Sequence, residues 1–395
     1  MKITYFHYIY KVPGPLIHMN EFAQAFRELG HEIHVHAMDT EQPPSLGWRV
    51  KELLKRPLGR YFHELNTVRK DYSCYWRECR IVKEEKPDLL LDRYHLYHCS
   101  ASFVARRFGL PLVLWLDAPA SYEQRKYLRE FFQIPGLAEG IEKYVIKKAD
   151  QVVAVSEEIK RYLPSDSLPR EDIQVVPNGV DPAKFSPLLD RGNIRENFPS
   201  RDPVVLGFVG SFSPWHGIES LKSWMAYALS SFENTCFLLV GEGPRRRDLE
   251  EFVQAGGWDP RRICFTAQVE HSEVPVHIAA MDICLLPYDQ GSEGFYFSPL
   301  KLFEYLASGK PVLSAGIGQV QKVVEDGVNG MSFAPASSAE ALQKLKELLE
   351  DPSLRKRLGA AGRQTILENY TWAHTAKASE KIFNEVLASY RNRHD

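Results

Sequence analysis

SEGFYFSPLKLFEYLASGKPVLS, residues 292–314, reads as a loop, a helix whose start suits an anion, and a buried strand. Ser298 has the side chain of an N-cap and Pro299 suits a first helical position. The helix is therefore expected to open there, its first N–H groups, those of Leu300 and Lys301 among them, facing the loop that contains Gly294. The positive end of the helix dipole favours phosphate at such a point. Lys301 and Glu304 stand three apart and share one face, while Leu300, Phe303 and Leu306 or Ala307 form an apolar one. Gly309 and Pro311 end the helix before PVLSA. A cation at a helix start with a carboxylate one turn on suits a nucleoside diphosphate, whose charge needs neutralising and whose ribose hydroxyls need an acceptor. An exposed Lys–Glu pair on an ordinary amphipathic helix has the same letters and is worth only about 0.2–0.5 kcal/mol.

Outward from this stretch, apolar runs recur between amphipathic ones. VVLGFVG (204–210), CFLLVG (235–241), ICFTA (263–267), ICLLP (283–287) and PVLSA (311–315) form one series of expected strands. A second series lies before it, at 2–6, 32–37, 88–91, 111–116, 151–155 and 173–176, separated by helical segments such as HMNEFAQAFRELG. Alternation of this kind implies parallel sheets covered by helices, an α/β architecture of two doubly wound units. PNGVDPAKFSPLLDRGNIRENFPSRDP has neither period, which places the expected linker at 186–202, between domains at 1–185 and 203–370. The helix 371–395 is expected to pack back on the first domain. Ligands of open α/β sheets bind beyond the carboxyl ends of the strands, so the loops after those strands are the ones to inspect.

The bulk properties agree with two globular domains and exclude several classes. At 395 residues each half can bury its own core. Lys plus Arg (49) nearly balances Asp plus Glu (51), a field that would gather no nucleic acid. Six cysteines without a C-x-x-C pair suggest reduced thiols in a cytoplasmic protein. No apolar run approaches the ~20 residues a membrane span requires, and the chain opens directly on a strand-like KITYF. KELLKRPLGRYFHELNTVRK (51–70) and KYVIKK (143–148) are basic and partly amphipathic, a pattern that fits either a solvated helix face or peripheral contact with an anionic membrane.

Three loops of the second series carry candidate chemistry. In GFVGSFSPWHG (207–217), Gly210 permits close backbone approach and Ser211, Ser213 and His216 offer donors to phosphate, though a plain turn needs the same glycine. VGEGPRRRDLEE (240–251) has a G-x-G without the rest of the dinucleotide fingerprint, and its three arginines fit a solvated face better than a ligand site. In TAQVEHSEVP (266–275), Val269 could present backbone groups to a base, with His271 and Glu273 opening the next helix. In the first series, Gly14 and His18 lie in the segment after the first strand and Tyr94 at the end of another. Asp117, just beyond a buried strand, is either a helix N-cap or a carboxylate that orients a sugar hydroxyl or accepts a proton. No His/Cys/Asp/Glu cluster shows metal-ligand spacing, and the nucleophile-elbow and P-loop patterns are missing.

The order of these motifs resembles glycosyltransferase family 4, retaining nucleotide-sugar enzymes of the GT-B fold, in which two Rossmann-like domains face a deep cleft. GFVGSFSPWHG, LLVGEGP, EVP before MDICLLP, and SPLKLFEYLASGKPVLS follow the family's sequence of donor-domain motifs, and ADQVVAVSEEIKRYL (149–163) with VVPNGVDPAKFSP resembles its approach to the linker. The resemblance implies that Glu304 is the second glutamate of E-x7-E and binds the donor ribose. The first glutamate falls on Tyr296, with Glu293 as a replacement if the loop is longer. The family's phosphate-binding Arg and Lys correspond to Ser211 and His216, so Lys301 is expected to supply the missing charge, with His216 assisting. The implied reaction moves a sugar from a nucleoside diphosphate to a hydroxyl acceptor in polysaccharide or related biosynthesis. It needs no cofactor and no metal, and Lys301, His216 and Asp117 are its candidate catalytic groups. An epimerase on the same architecture and a silent sugar-nucleotide binder are the alternatives.

Overall fold

The computed structural model describes residues 1–8, 13–38, 46–127, 134–164, 169–288, 295–335 and 337–394. Glu293, the expected replacement glutamate, lies outside them. The chain divides into two units, Met1–Pro177 with Tyr296–Ser298 and Ala373–Asp395, and Asn178–Phe295 with Pro299–Trp372. The division falls at Asn178 rather than within 186–202. Segment 178–202 belongs to the second unit, because Val180 pairs with the backbone of Tyr370 and Trp372, and Arg363 holds the carbonyl of Phe185.

The first unit is built on six parallel strands in the order β2-β1-β3-β4-β5-β6. They are β1 (Lys2–His7), β2 (Glu32–Ala37), β3 (Leu89–Arg93), β4 (Leu112–Leu116), β5 (Gln151–Ala154) and β6 (Ile173–Val175). Every residue of β3 and β4 is buried, as expected for strands covered on both faces. Helix α1 (Pro13–Glu28) follows β1, and the 40-residue α2 (Leu46–Glu85) returns the chain to β3. The C-terminal helix Trp372–His394 sets Phe383 against Phe26 at 5.5 Å and Glu380 against His31 at 2.7 Å. Among the described residues, no helix is long and apolar enough to cross a membrane.

The second unit has the order β12-β11-β10-β7-β8-β9, again all parallel. Its strands are β7 (Val204–Val209), β8 (Thr235–Val240), β9 (Ile263–Phe265), β10 (Ile283–Leu286), β11 (Val312–Ala315) and β12 (Met331–Phe333). The last, only three residues long, is absent from the expected series. Phe208, Phe237, Leu239 and Leu285 from the strands pack with Leu221, Trp224 and Met225 from one covering helix, and each such side chain contributes about 1.5–3 kcal/mol of apolar burial. Read from the other edge, the order is the 3-2-1-4-5-6 pattern of dinucleotide folds, whose sense reverses between β7 and β10. That reversal point, at the carboxyl ends of β7 and β10, is where such sheets bind ligands.

Candidate active site

At the reversal point the loop after β7 turns at Gly210, whose φ of +147° few side-chain-bearing residues adopt. It stacks on the turn after β8. A Cβ added to Gly241, itself at φ +127°, would stand 2.2 Å from the carbonyl oxygen of Gly210, and one on Gly243 would stand 2.4 Å from the Phe212 nitrogen. Both glycines of the G-E-G sequence thus let two backbones touch. Gly241→Ala is expected to destabilise the protein by more than about 2 kcal/mol, through the clash and the strained φ together; urea unfolding measures it, and an unchanged midpoint would remove this account of the turn.

The helix Leu300–Ala307 brings the Lys301 side chain to this turn. It opens one residue later than expected: Pro299, at ψ 112°, is still extended and takes the N-cap position without a side-chain cap, and the first turn closes with Leu302 N–H to the Pro299 carbonyl. Ser298 is buried and groups with the first unit. Apart from Leu300 and Lys301, which are half-buried, every residue of the helix is buried, so Lys301 and Glu304 do not form a solvated surface pair.

Lys301 reaches back along the turn. A Cβ on Gly210 would meet its Nζ at 2.5 Å, and the ammonium lies 4.3 Å from the centroid of the Phe208 ring and 3.4 Å from His216 Nε2. The Phe208 face offers cation–π attraction. His216 Nδ1 donates to the carbonyl of Ser211, which leaves Nε2 as the acceptor toward Lys301. Burial and the Lys301 charge hold the His216 imidazole well below its ordinary pKa, so it is neutral. Burial lowers Lys301 from 10.5 to about 7, against the pull of Glu304. Among the described residues, no carboxylate lies within 4.0 Å of this ammonium. Ser211 is exposed and exchanges a hydroxyl contact of 3.0 Å with Ser213.

One turn along, Glu304 is 7% exposed and its Oε1 sits 2.8 Å from His271 Nε2. His271 does not open the next helix, as its sequence position suggested. It lies in a turn before the helix Val274–Ala279, 33 residues from its partner, and no local pattern signals the pairing. Val269 is half-buried in the segment leading into that turn. The arginine run is structural: Arg245 binds Asp248 and Glu219, Arg246 binds Glu242 and Glu250, and Arg247 binds Glu251.

In the first unit, Asp117 is not a helix cap, since the following helix begins at Ala120. Its carboxylate pairs with Arg93, a fully buried residue that sequence reasoning missed, and Arg93 Nη1 lies 2.8 Å from His18 Nδ1. Burial raises the Asp117 carboxyl, with Arg93 opposing. His18, Arg93 and Asp117 therefore form one chain across β3, β4 and α1. Tyr94 is buried beside them in sequence, its hydroxyl without a partner among the described residues, and Gly14 lies in the first turn of α1. Tyr296, at the position of the expected first glutamate, is fully buried in the first unit, against Tyr122 and Tyr162 at 6.2 Å, with its carbonyl accepting from Ser156. The site is a packing position here.

One grouping of possible metal-ligand atoms is formed in three dimensions. His34 and His36 alternate along β2 and meet Glu85, a spacing of H-x-H on a strand that the motif search passed over.

Two family profiles match the chain: glycosyltransferase family 4 over residues 14–184 and glycosyl transferases group 1 over residues 203–351. An uncharacterized glycosyltransferase of Methanocaldococcus jannaschii is 28% identical over 249 residues, 62% of this chain and 61% of that one. The 2-deoxystreptamine glucosyltransferase of Streptomyces kanamyceticus is 26% identical over 259 residues, 65% of each chain. The matches thus span somewhat under two thirds of these relatives' lengths. Anabaena HepE, solved with UDP-glucose, shares the fold at a TM-score of 0.71 and 16% identity, with 98% of this chain and 100% of that one covered. The chain belongs to glycosyltransferase family 4 and has its GT-B architecture of two Rossmann-like domains.

Proposed function

We propose that the protein transfers a sugar from a nucleoside-diphosphate sugar to a hydroxyl acceptor, with retention of anomeric configuration and without a metal ion. The observation that carries this reading is the Lys301 ammonium lodged against Gly210 at the sheet's reversal point, with the buried Glu304 carboxylate one helical turn away. A diphosphate neutralises the first and ribose hydroxyls satisfy the second. The Leu300 and Lys301 N–H groups and the Gly210–Ser211 backbone complete the diphosphate cradle, and Val269 offers main-chain groups to the base. The glucosyltransferase relative and the UDP-glucose complex of HepE support the same substrate class.

In the proposed reaction the bond from the anomeric carbon to the diphosphate breaks, and the acceptor oxygen attacks from the same face. Its proton leaves with the departing diphosphate oxygen. Lys301 and the helix start stabilise the charge that develops there, a fixed electrostatic contribution. Asp117, held by Arg93, orients an acceptor hydroxyl rather than acting as a free base.

Thermal unfolding with UDP, GDP, ADP and TDP, followed by assay of the matching nucleotide sugars, tests the reading. One nucleotide is expected to raise Tm, by the equivalent of about 2.7 kcal/mol at a hundredfold excess over Kd. No stabilisation by any of them at millimolar concentration, with no nucleotide sugar consumed, would refute it.

A further inference from the structure

The sequence of β2 is EIHVHA, and alternate residues of a strand point to one face, so His34 and His36 project together. They stand opposite Thr4 and Phe6 of β1 in the sheet register. Glu85, the last residue of α2, comes back over that face. Its Oε1 lies 2.8 Å from His34 Nδ1 and 2.8 Å from His36 Nε2. One atom from each of the three side chains falls within 4.8 Å of the others.

We propose that His34, His36 and Glu85 bind one divalent cation of the zinc type, at a site separate from the donor-binding residues. Metal–nitrogen and metal–oxygen bonds of about 2.0–2.2 Å in a tetrahedral arrangement put neighbouring ligand atoms roughly 3.3–3.5 Å apart. The two His–Glu85 separations of 2.8 Å are shorter than that value, so exchanging these N–H···O bonds for coordination lengthens each by about half an ångström. β2 is an outer strand, and the side chains of His34, His36 and Glu85 are 40%, 28% and 15% exposed, which leaves room for water as a further ligand.

The surroundings orient the ligands. Thr4 Oγ1 donates to Glu85 Oε2, which turns Oε1 toward the imidazoles, and His34 Nε2 lies 3.3 Å from Glu32 Oε1, an arrangement that fixes the ring and leaves Nδ1 for the ion. Two imidazoles with one carboxylate select zinc, cobalt, nickel or copper over magnesium and calcium, which prefer all-oxygen sites. A bound ion ties the outer strand to the far end of α2 and stabilises the first unit by mass action.

The test uses tag-free full-length protein freed of metal by chelation and titrated with Co²⁺ and Zn²⁺. One equivalent of Co²⁺ is expected to give the visible bands of a four- or five-coordinate site, bleached by Zn²⁺ but not by Mg²⁺, and Zn²⁺ is expected to raise Tm. His34→Ala, His36→Ala and Glu85→Gln should each weaken Zn²⁺ binding more than about tenfold, while His277→Ala, in the other unit, should not. His36→Gln, closer in size, stands in if an alanine variant fails to fold in chelator. No band at one equivalent overturns the site. So does displacement by Mg²⁺, or equal weakening by His277→Ala.

Discussion

Glu304→Ala is expected to lower kcat/KM for the donor about 100- to 1000-fold while the protein stays folded. The carboxylate is almost wholly buried, with His271 at 2.8 Å from its Oε1. A buried carboxylate facing two ribose hydroxyls makes charge-assisted hydrogen bonds worth about 1.5–3 kcal/mol each, less what the same hydroxyls gain in water. A net loss of about 3–4 kcal/mol corresponds to the stated range. Ribose contacts are the same in ground and transition states, so most of the loss should fall on KM and on the Kd of the free nucleoside diphosphate. Glu304→Gln keeps the shape but places an amide where a double acceptor is needed, and should recover only a small part. His271→Ala removes the group that orients the carboxylate and should cost about tenfold, since an orienting partner is worth less than the contact it supports. Calorimetric titration with the nucleotide gives the answer. A folded Glu304→Ala variant that binds within threefold of wild type would mean that the nucleoside lies elsewhere.

The difference between what the sequence made legible and what it hid follows the distance over which information travels. Strands such as VVLGFV and LVLWL are local facts: continuous apolar runs bounded by turn residues can only be covered on both faces, and a parallel α/β unit follows. Glu304 was legible for a similar reason, since its helix and the motif around it are contiguous. Lys301 was half legible. Its place at a helix start is local, but its nearness to Gly210 and Phe208 comes from a crossover of some ninety residues. His271 and Arg93 were not legible at all. Each finds its partner only when segments far apart in the chain are folded together, and a lone histidine in a polar turn or an arginine at a strand end carries no local sign of that. The three-residue β12 is too short to show a period of two, and the helix start slipped by one residue because Pro299 took an extended ψ. The His34–His36 spacing was visible but had no meaning until Glu85 came back over the same face.

Lys301→Met should both weaken the diphosphate and stabilise the empty protein. The ammonium rests on the Phe208 face beside a neutral imidazole, with no carboxylate within 4.0 Å among the described residues, and burial lowers its pKa from 10.5 to about 7. In the unfolded chain the same lysine titrates near its ordinary value. Between about pH 7 and 10.5 the native state therefore holds fewer protons than the unfolded one, and this group makes stability rise with pH across that window. Below pH 7 the native lysine is charged, and the cost of burying it is present in full. Methionine keeps the stem and removes the charge. The gain in stability should be about 1–3 kcal/mol near pH 6 and should fade as pH approaches 10. Binding runs the other way. A diphosphate favours the ammonium and raises its pKa in the complex, so above pH 7, where the phosphates are fully ionised, wild-type affinity should fall by up to about tenfold per pH unit until the bound lysine itself begins to lose its proton. Lys301→Met should bind the nucleotide about 10- to 100-fold more weakly at pH 6.5 and show none of that decline. Lys322→Met, on an exposed surface of the same unit, should change neither quantity. Unfolding and nucleotide titrations of the three proteins from pH 6 to 9 separate the possibilities. If Lys301→Met is less stable than wild type at pH 6, or if its affinity follows the wild-type pH curve, the buried cation is holding the fold together instead of waiting for a diphosphate.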